Sequence, residues 1–339
     1  MLILSNALTD VVDEGCVKVA ASLVKRLLKS SDNHKVVTFE RESELSHIHL
    51  QLNKFLLNGS LRKIVRQQKQ KVLYLPFPSK PISSAIRIFC LSLFARWGLN
   101  VVITMQTQPD FLSRLLLKMS GAEFTVLSRD SYIRFAKIVG EKRVAYLKTG
   151  VDTQKFHPVS REIVKELKQK YGLNPERPVV LHVGHLNQGR NVGVFTHLDE
   201  QYQGVLVVST LTKNEQDAAL KQQLLSCNNV KLIEDYLPDI QEIYQLADVY
   251  LFPVEEYGKC IDVPLSCLEA AACNKPVVAT PYGELKEFRY QQGFVFCESL
   301  DENNLNQAVE QALSLPAVCN REAVLPYDWD NALVFLQKQ

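Results

Sequence analysis

What most restricts the folding of this chain is an alternation, kept through nearly all of its 339 residues, between short apolar runs and amphipathic stretches. In the first half the apolar runs are LILS (2–5), KVVTF (35–39), HIHLQL (47–52), KVLYLPF (71–77), NVVITM (100–105), EFTVLS (123–128) and VAYLKT (144–149). Helical patterns lie between most of them, at 17–28, 83–96, 110–119 and 130–139. In the second half the runs are PVVLHVG (178–184), GVLVVST (204–210), VKLIED (230–235), DVYLFP (248–253), KPVVAT (275–280) and GFVFC (293–297). The helical patterns there cover 215–225, 237–246, 264–273 and 305–313. Strands alternating with helices give parallel sheets covered on both faces. The predicted fold class is therefore α/β, with two doubly wound, Rossmann-like domains at 1–150 and 151–339 facing each other across a cleft. A hydrophilic segment, 149–178, joins them and holds one charged helix at 161–171. In such sheets ligands bind beyond the carboxyl ends of the strands, so the loops that follow the strands are where function is sought.

The composition, 46% hydrophobic and 22% charged, excludes a disordered, collagenous or disulfide-scaffold chain. The most apolar stretch, 88–105, is broken by Arg96 and Gly98, so no segment is expected to span a bilayer. The first residues lack a basic region and a cleavage site, against a secretion signal. Eight cysteines form no CxxC pair or zinc spacing, and a reducing cytoplasm is the simplest setting for them. The net charge of +2 conceals an asymmetry: residues 1–150 balance at +12 and residues 151–339 at −10. Halves of opposite sign suggest modules with different partners.

Three loops carry chemistry. Gly15 closes the loop after the opening run, just before a helix, where a glycine either lets backbone approach a phosphate or simply makes a turn. The full GxGxxG fingerprint is absent, which argues against a dehydrogenase. The loop VGHLNQGRN (183–191) puts Arg190 at a strand's carboxyl end, where it can pair with a diphosphate or cap a surface turn. The segment DVYLFPVEEYGKCIDVPLSCLEAAACNKPVVATPYGE (248–284) places Pro264 at a helix start with Asp262 just before it. Glu269 then sits alone among Leu, Ala and Cys, which is costly unless a ribose or a buried cation partners it.

These residues in this order resemble glycosyltransferase family 4, retaining sugar transferases of the GT-B fold, over residues 149–290. TGVDTQKFHP (149–158) is similar to the family's interdomain GVD-x-x-x-F-x-P segment, and VGHLNQGRN to its donor-phosphate loop. DVPLSCLEAAACNKPVVAT is similar to the LEAMACG-x-PVVA block, and PYGELKEF (281–288) to the G-x-x-E turn after it. The resemblance implies that Glu269 holds the donor's ribose, that Arg190 and His185 pair with the leaving diphosphate, and that Gly15 packs against the phosphates. It places the base near Tyr236 and Leu237, and the rest of the donor among Gly184, Asp262, Val263 and Leu265. Three positions depart from the family. Ile261 occupies the place of the first glutamate of E-x7-E, with Asp262 as its natural substitute. Met105-Gln106-Thr107 stands where a histidine is common, and His185 replaces an arginine.

The function so implied is retaining transfer of a sugar from a UDP- or GDP-type nucleotide sugar, the only cosubstrate and with no cofactor. The acceptor is a glycan or a lipid-linked molecule in cell-envelope or surface glycan synthesis. Arg190, His185 and Asp262 are the expected catalytic groups; with no acidic pair in a plausible metal loop, no metal is expected. Between Glu44 and Asp110 there is no acidic residue. The segment 54–71, with Arg62, Lys63, Arg66 and Lys69, mixes apolar and basic positions suited to an anionic membrane surface or to plain solvation. The expected location is cytoplasmic and peripheral on the inner face of the plasma membrane. Nucleic acid is not an expected partner, since no RNP or helix-turn-helix pattern occurs. His47 and His49 share a strand face without an evident third metal ligand. The competing readings are a nucleotide-sugar epimerase, for which no acid/base pair is identified, and a non-catalytic nucleotide-sugar-binding or partner subunit of a transferase.

Overall fold

The computed structural model describes residues 1–12, 14–105, 108–208 and 217–338. The end of the run at 204–210, the start of the helical pattern at 215–225, and Gln106 and Thr107 lie outside the described residues. Residue contacts divide the chain into two compact units. The first comprises 1–149, 261–263 and 329–339, and the second 150–260 and 264–328.

The first unit is built from β1 (Leu2–Ser5), α1 (Gly15–Ser30), β2 (Lys35–Phe39), β3 (Ile48–Leu50), α2 (Gly59–Arg66), β4 (Val72–Leu75), α3 (Pro81–Ser92), β5 (Leu99–Ile103), α4 (Phe111–Met119), β6 (Glu123–Val126), α5 (Arg129–Val139) and β7 (Val144–Tyr146). All seven strands are parallel, in the order β3-β2-β1-β4-β5-β6-β7. Sequence signals set the helix starts. Asp110 caps α4 by accepting the Ser113 N–H at 2.8 Å, and Ser128 caps α5 by accepting that of Ser131. Gly140, at φ 91°, ends α5 in a conformation few other residues adopt.

One core joins alternate strand positions (Leu2, Leu4, Tyr74, Val101, Phe124) to Leu61 and Val65 of α2, Ile88 of α3, Leu117 of α4 and Phe135 of α5. Of the apolar residues in 54–71, Leu56, Leu61 and Val65 are buried, whereas Phe55 and Leu57 are exposed. Leu61 and Val65 are buried in the core, because an eight-residue helix crossing back to β4 has only that stripe with which to hold the sheet. Its cations Arg62, Lys63 and Arg66, and Lys69 beyond it, are exposed.

The second unit contains α6 (Arg161–Lys170), β8 (Val179–Gly184), β9 (Gln203–Val208), α7 (Ala218–Leu225), β10 (Val230–Ile233), α8 (Gln241–Leu246), β11 (Val249–Phe252), α9 (Leu265–Ala272), β12 (Val277–Ala279), β13 (Phe294–Phe296), α10 (Leu305–Leu313) and α11 (Asn320–Val324). Its six strands are again parallel, in the order β10-β9-β8-β11-β12-β13.

A last helix, α12 (Trp329–Lys338), was not expected. It packs on α1 with Trp329, Ala332 and Leu336 buried, and Arg26 Nε donates to Asp330 Oδ1 at 2.8 Å. The chain's end thus belongs to the first unit rather than to a domain running to 339, because α1 leaves an apolar face that only a second helix can cover.

Candidate functional site

In the second unit the strand order reverses between β8 and β11. At that point crossovers depart to opposite faces of a sheet and leave a crevice at the carboxyl ends of the strands. The loop leaving β8 begins at Gly184. A β-carbon there would come within 2.9 Å of Nε2 of His182, two residues back on the same strand face, so the residue must be glycine for that ring to fit. His182 is buried and its Nδ1–H donates to the Leu251 carbonyl at 2.9 Å. Burial pushes its pKa down to about 4, the nearby charge of Arg190 adding to the effect, so the ring is neutral and Nε2 presents a lone pair. Among the described residues no hydrogen-bond partner meets that nitrogen.

The loop tightens through a 3₁₀ turn, Gln188–Arg190, and passes through Asn191 at φ 53°, a left-handed conformation asparagine tolerates. Asn191 Nδ2 donates to the Leu300 carbonyl at 2.9 Å, and a β-carbon on Gly189 would strike the Lys259 side chain at 2.8 Å. Thus anchored, Arg190 is only 9% exposed and its Nε has no hydrogen-bond partner among the described residues. His185 is half-buried and close enough to His182 to oppose its protonation. The structure therefore gathers Gly184, His185 and Arg190 around His182.

From His182 an aromatic series runs inward. The ring stacks on Tyr250 at 6.3 Å, Tyr250 stacks on Tyr244 at 5.9 Å, and Tyr244 meets Phe156 edge-on at 5.4 Å. Phe156 is the phenylalanine of the 149–158 segment, which Arg321 holds through the Phe156 and Thr153 carbonyls at 2.7 and 2.6 Å. Glu269, on α9, is 2% exposed and lies beside Tyr244. Burial and then the Glu269 charge raise that phenol well above its usual range. The His182, Tyr244, Tyr250 and Arg321 roles escaped sequence reasoning; only the period-two spacing of His182 and Gly184 on one strand signalled any of them.

The preceding loop is pinned by Tyr282 of the PYGE turn, whose hydroxyl donates to the Cys260 carbonyl at 2.8 Å and accepts the Cys260 N–H at 3.1 Å. Glu284, four-letter partner of that turn, accepts the Tyr327 hydroxyl at 2.5 Å. Tyr236 and Leu237 follow β10 at the edge of the sheet, Tyr236 exposed and Leu237 half-buried. Val263 and Leu265 are buried at the approach to α9.

Residues 261–263 take their contacts in the first unit. Ile261 bridges Met105 antiparallel, and the Asp262 N–H donates to the Thr104 carbonyl at 2.8 Å. A β-carbon on Gly15 would approach Ile261 to 2.8 Å, so this glycine is required by packing whatever else it binds. Asp262 is fully buried; its Oδ2 accepts the Ser128 hydroxyl at 2.9 Å and the Ser131 hydroxyl, while Oδ1 has no partner among the described residues. Burial raises its pKa to about 7, against the lowering effect of the two serines. Asp262, expected as the substitute for the first glutamate of E-x7-E, thus has one carboxylate oxygen bonded to Ser128 and Ser131 at the first turn of α5. His47 and His49 are also committed, His47 accepting the Val36 N–H and His49 bonding the Thr38 hydroxyl.

Chemically, the β8 loop offers a nearly buried guanidinium and an imidazole at the end of a parallel strand. Preorganised positive charge of this kind stabilises a leaving polyanion far better than water does.

Residues 177–314 match the family Glycosyl transferases group 1. The α-galactosylglucosyldiacylglycerol synthase of Streptococcus pneumoniae is 20% identical over 293 residues, covering 79% of this chain and 69% of that protein. Anabaena HepE, in complex with UDP and glucose, superimposes with a TM-score of 0.76 at 15% identity over 99% of this chain and 98% of its own. The UDP-GlcNAc 2-epimerase of Neisseria meningitidis, bound to UDP-GlcNAc, gives 0.61 at 16% identity over 100% and 99%. The two parallel-sheet α/β units share the fold of these solved structures, and the match to Glycosyl transferases group 1 lies within the second unit.

Proposed function

We propose that this protein is a retaining glycosyltransferase that moves a sugar from a UDP- or GDP-sugar to a glycan or a lipid-linked acceptor. The observation that carries the reading is the β8 loop, where Arg190 and His185 converge on a strand end at the topological switch point of the family-matching unit. In this reading the diphosphate lies against Arg190 and His185, the ribose toward Glu269, and the base toward the backbone of Tyr236 and Leu237. Within the second unit, Gly184 and Leu265 line the donor. The anomeric C–O bond to the phosphate breaks as charge gathers on the diphosphate. The acceptor hydroxyl attacks from the same face and passes its proton to a departing phosphate oxygen. Arg190 supplies the countercharge without a metal, so chelation leaves the rate unchanged. Asp262 acts at a distance, as a positioning residue for 261–263. The bilayer-linked acceptor, in envelope glycolipid or polysaccharide synthesis, is favoured by the lipid-synthase relative and by the basic first unit.

A second reading, a non-catalytic nucleotide-sugar-binding or partner subunit, is favoured by Ile261 at the sugar-contacting position and by the burial of Asp262. Incubation with UDP- and GDP-sugars and acceptor glycolipids decides between them. Nucleotide release with formation of an α-linked product from an α-linked donor supports the transferase. Binding of nucleotide without release across the panel supports the subunit, and no binding at all overturns both.

A further inference from the structure

The second unit's sheet divides at one place. β8 and β11 pair with Val180 opposite Val249 and Leu181 opposite Tyr250, and the two strands then part. Beyond that point each keeps its outer neighbour. His182, Val183 and Gly184 stay opposite Leu206, Val207 and Val208 of β9, and Leu251 and Phe252 opposite Val278 and Ala279 of β12. Parting strands leave inward-facing backbone groups that a ladder would have joined, and such groups need other partners when they are buried.

Two side chains supply them, one from each strand. His182 of β8 reaches across, and its Nδ1–H donates to the Leu251 carbonyl of β11 at 2.9 Å. Tyr250 of β11 reaches the other way: its hydroxyl accepts the Val183 N–H at 3.3 Å and donates to the Val183 carbonyl, also at 3.3 Å. Both residues are buried, their rings stack at 6.3 Å, and Phe195 meets the imidazole edge-on at 6.4 Å. Gly184, with no β-carbon to strike Nε2, leaves room for the ring. Each strand thus grips the other's backbone through a side chain, a reciprocal clasp at the point where the sheet opens.

An apolar pair of similar volume would fill this gap at a smaller desolvation cost, for His182 Nε2 is buried with no hydrogen-bond partner among the described residues. What an imidazole and a phenol add is direction, since a hydrogen bond tolerates only a narrow range of distance and angle. Val183, which the clasp holds by both backbone groups, is followed at once by Gly184 and His185, and Arg190 closes the same loop. We propose that His182 and Tyr250 are positioning residues, which fix where the β8 loop presents His185 and Arg190 to the diphosphate of a nucleotide sugar. They act from beneath the loop, without touching the ligand. The inference deepens the donor site of the reading above and rests on it.

The test compares binding of UDP and GDP with binding of uridine and guanosine, on the full chain, by calorimetry and ligand-observed NMR. The unaltered chain is expected to prefer one diphosphate over its nucleoside. Y250F keeps the stacked ring and loses only the hydroxyl; it is expected to weaken that diphosphate about 10-fold, as loss of a hydrogen bond does, and to leave the nucleoside unchanged. H182L is expected to do the same. H182N, whose amide N–H can replace Nδ1–H toward Leu251, is expected to restore diphosphate binding. A role confined to holding the fold together would lower diphosphate and nucleoside alike, and that result overturns the proposal. Unchanged diphosphate binding in Y250F and H182L overturns it too, as does H182N binding no better than H182L. Should Y250F fail to fold, H182L and H182N decide on the same criteria. No preference for either diphosphate in the unaltered chain removes the donor site of the reading above and this proposal with it. A preference that every variant keeps removes the clasp's role alone.

Discussion

Arg190 holds a nearly buried guanidinium whose Nε meets no acceptor among the described residues, and the desolvation this costs is offset when a polyanion binds. Arg190→Ala is therefore expected to lower turnover about 100-fold or more, as loss of a charge-stabilising donor does. Nucleotide release is the measurement, with an unchanged unfolding transition showing that the fold is intact. Asp262 is the opposite case, a carboxyl held away from solvent by Ser128 and Ser131. Its folded pKa of about 7 lies above the ordinary aspartate value, so the folded state binds the proton more tightly than the unfolded chain. That contribution is fully present below about pH 4 and is lost as pH rises toward 7, a change on the order of a few kcal/mol. Urea midpoints across this range are expected to fall for the unaltered chain and to stay flatter for Asp262→Asn. Gly184 and Gly15 were both legible as glycines near strand or helix ends. What excludes a side chain at each, the His182 ring and Ile261, is a contact made by folding and has no local signature in sequence.

At the scale of elements, the parallel strands were legible because buried strands are continuous apolar runs. Their ends were not: the run at 71–77 extends past Leu75 into Pro76 and Phe77, which lie in the irregular loop after the strand. Hydropathy reports burial, and a loop buried at the carboxyl edge is as apolar as the strand it follows. The amphipathic segment 54–71 shows the same ambiguity in reverse. Apolar positions at helical spacing can face a bilayer or a sheet, and Leu61 and Val65 face the sheet. Leu61→Ala is accordingly expected to cost about 3 kcal/mol of stability in denaturant unfolding, whereas Lys63→Gln is expected to stay within about 0.5 kcal/mol. The β11-to-α9 loop was recognised by its family pattern. Its anchoring by the Tyr282 hydroxyl to both backbone groups of Cys260 depends on two segments 22 residues apart meeting in space.

At the scale of the molecule, both sheets share one order of strands, and in the second the reversal between β8 and β11 places the loop bearing Arg190. The chain's last helix returns to the first unit, where Trp329 and Leu336 are buried against α1. Deletion of 329–339 is expected to destabilise the first unit and leave the second folded. Hydrogen exchange would show protection lost in α1 and kept in β8 and β11; uniform loss would mean that the two units unfold together. The sequence by itself determined the α/β class, the two sheets, the family pattern in the second half and the opposite charges of the halves. Each of these is written in local periodicity, motif spacing or composition. Only the tertiary structure decided that Asp262 is withdrawn into α5's first turn, that His182 underlies the Arg190 loop, and that α2 buries Leu61 and Val65 while α4 buries Leu117 and leaves Phe111 and Met119 exposed. Those outcomes turn on which of several equally apolar or charged surfaces meet, and packing between distant segments sets that.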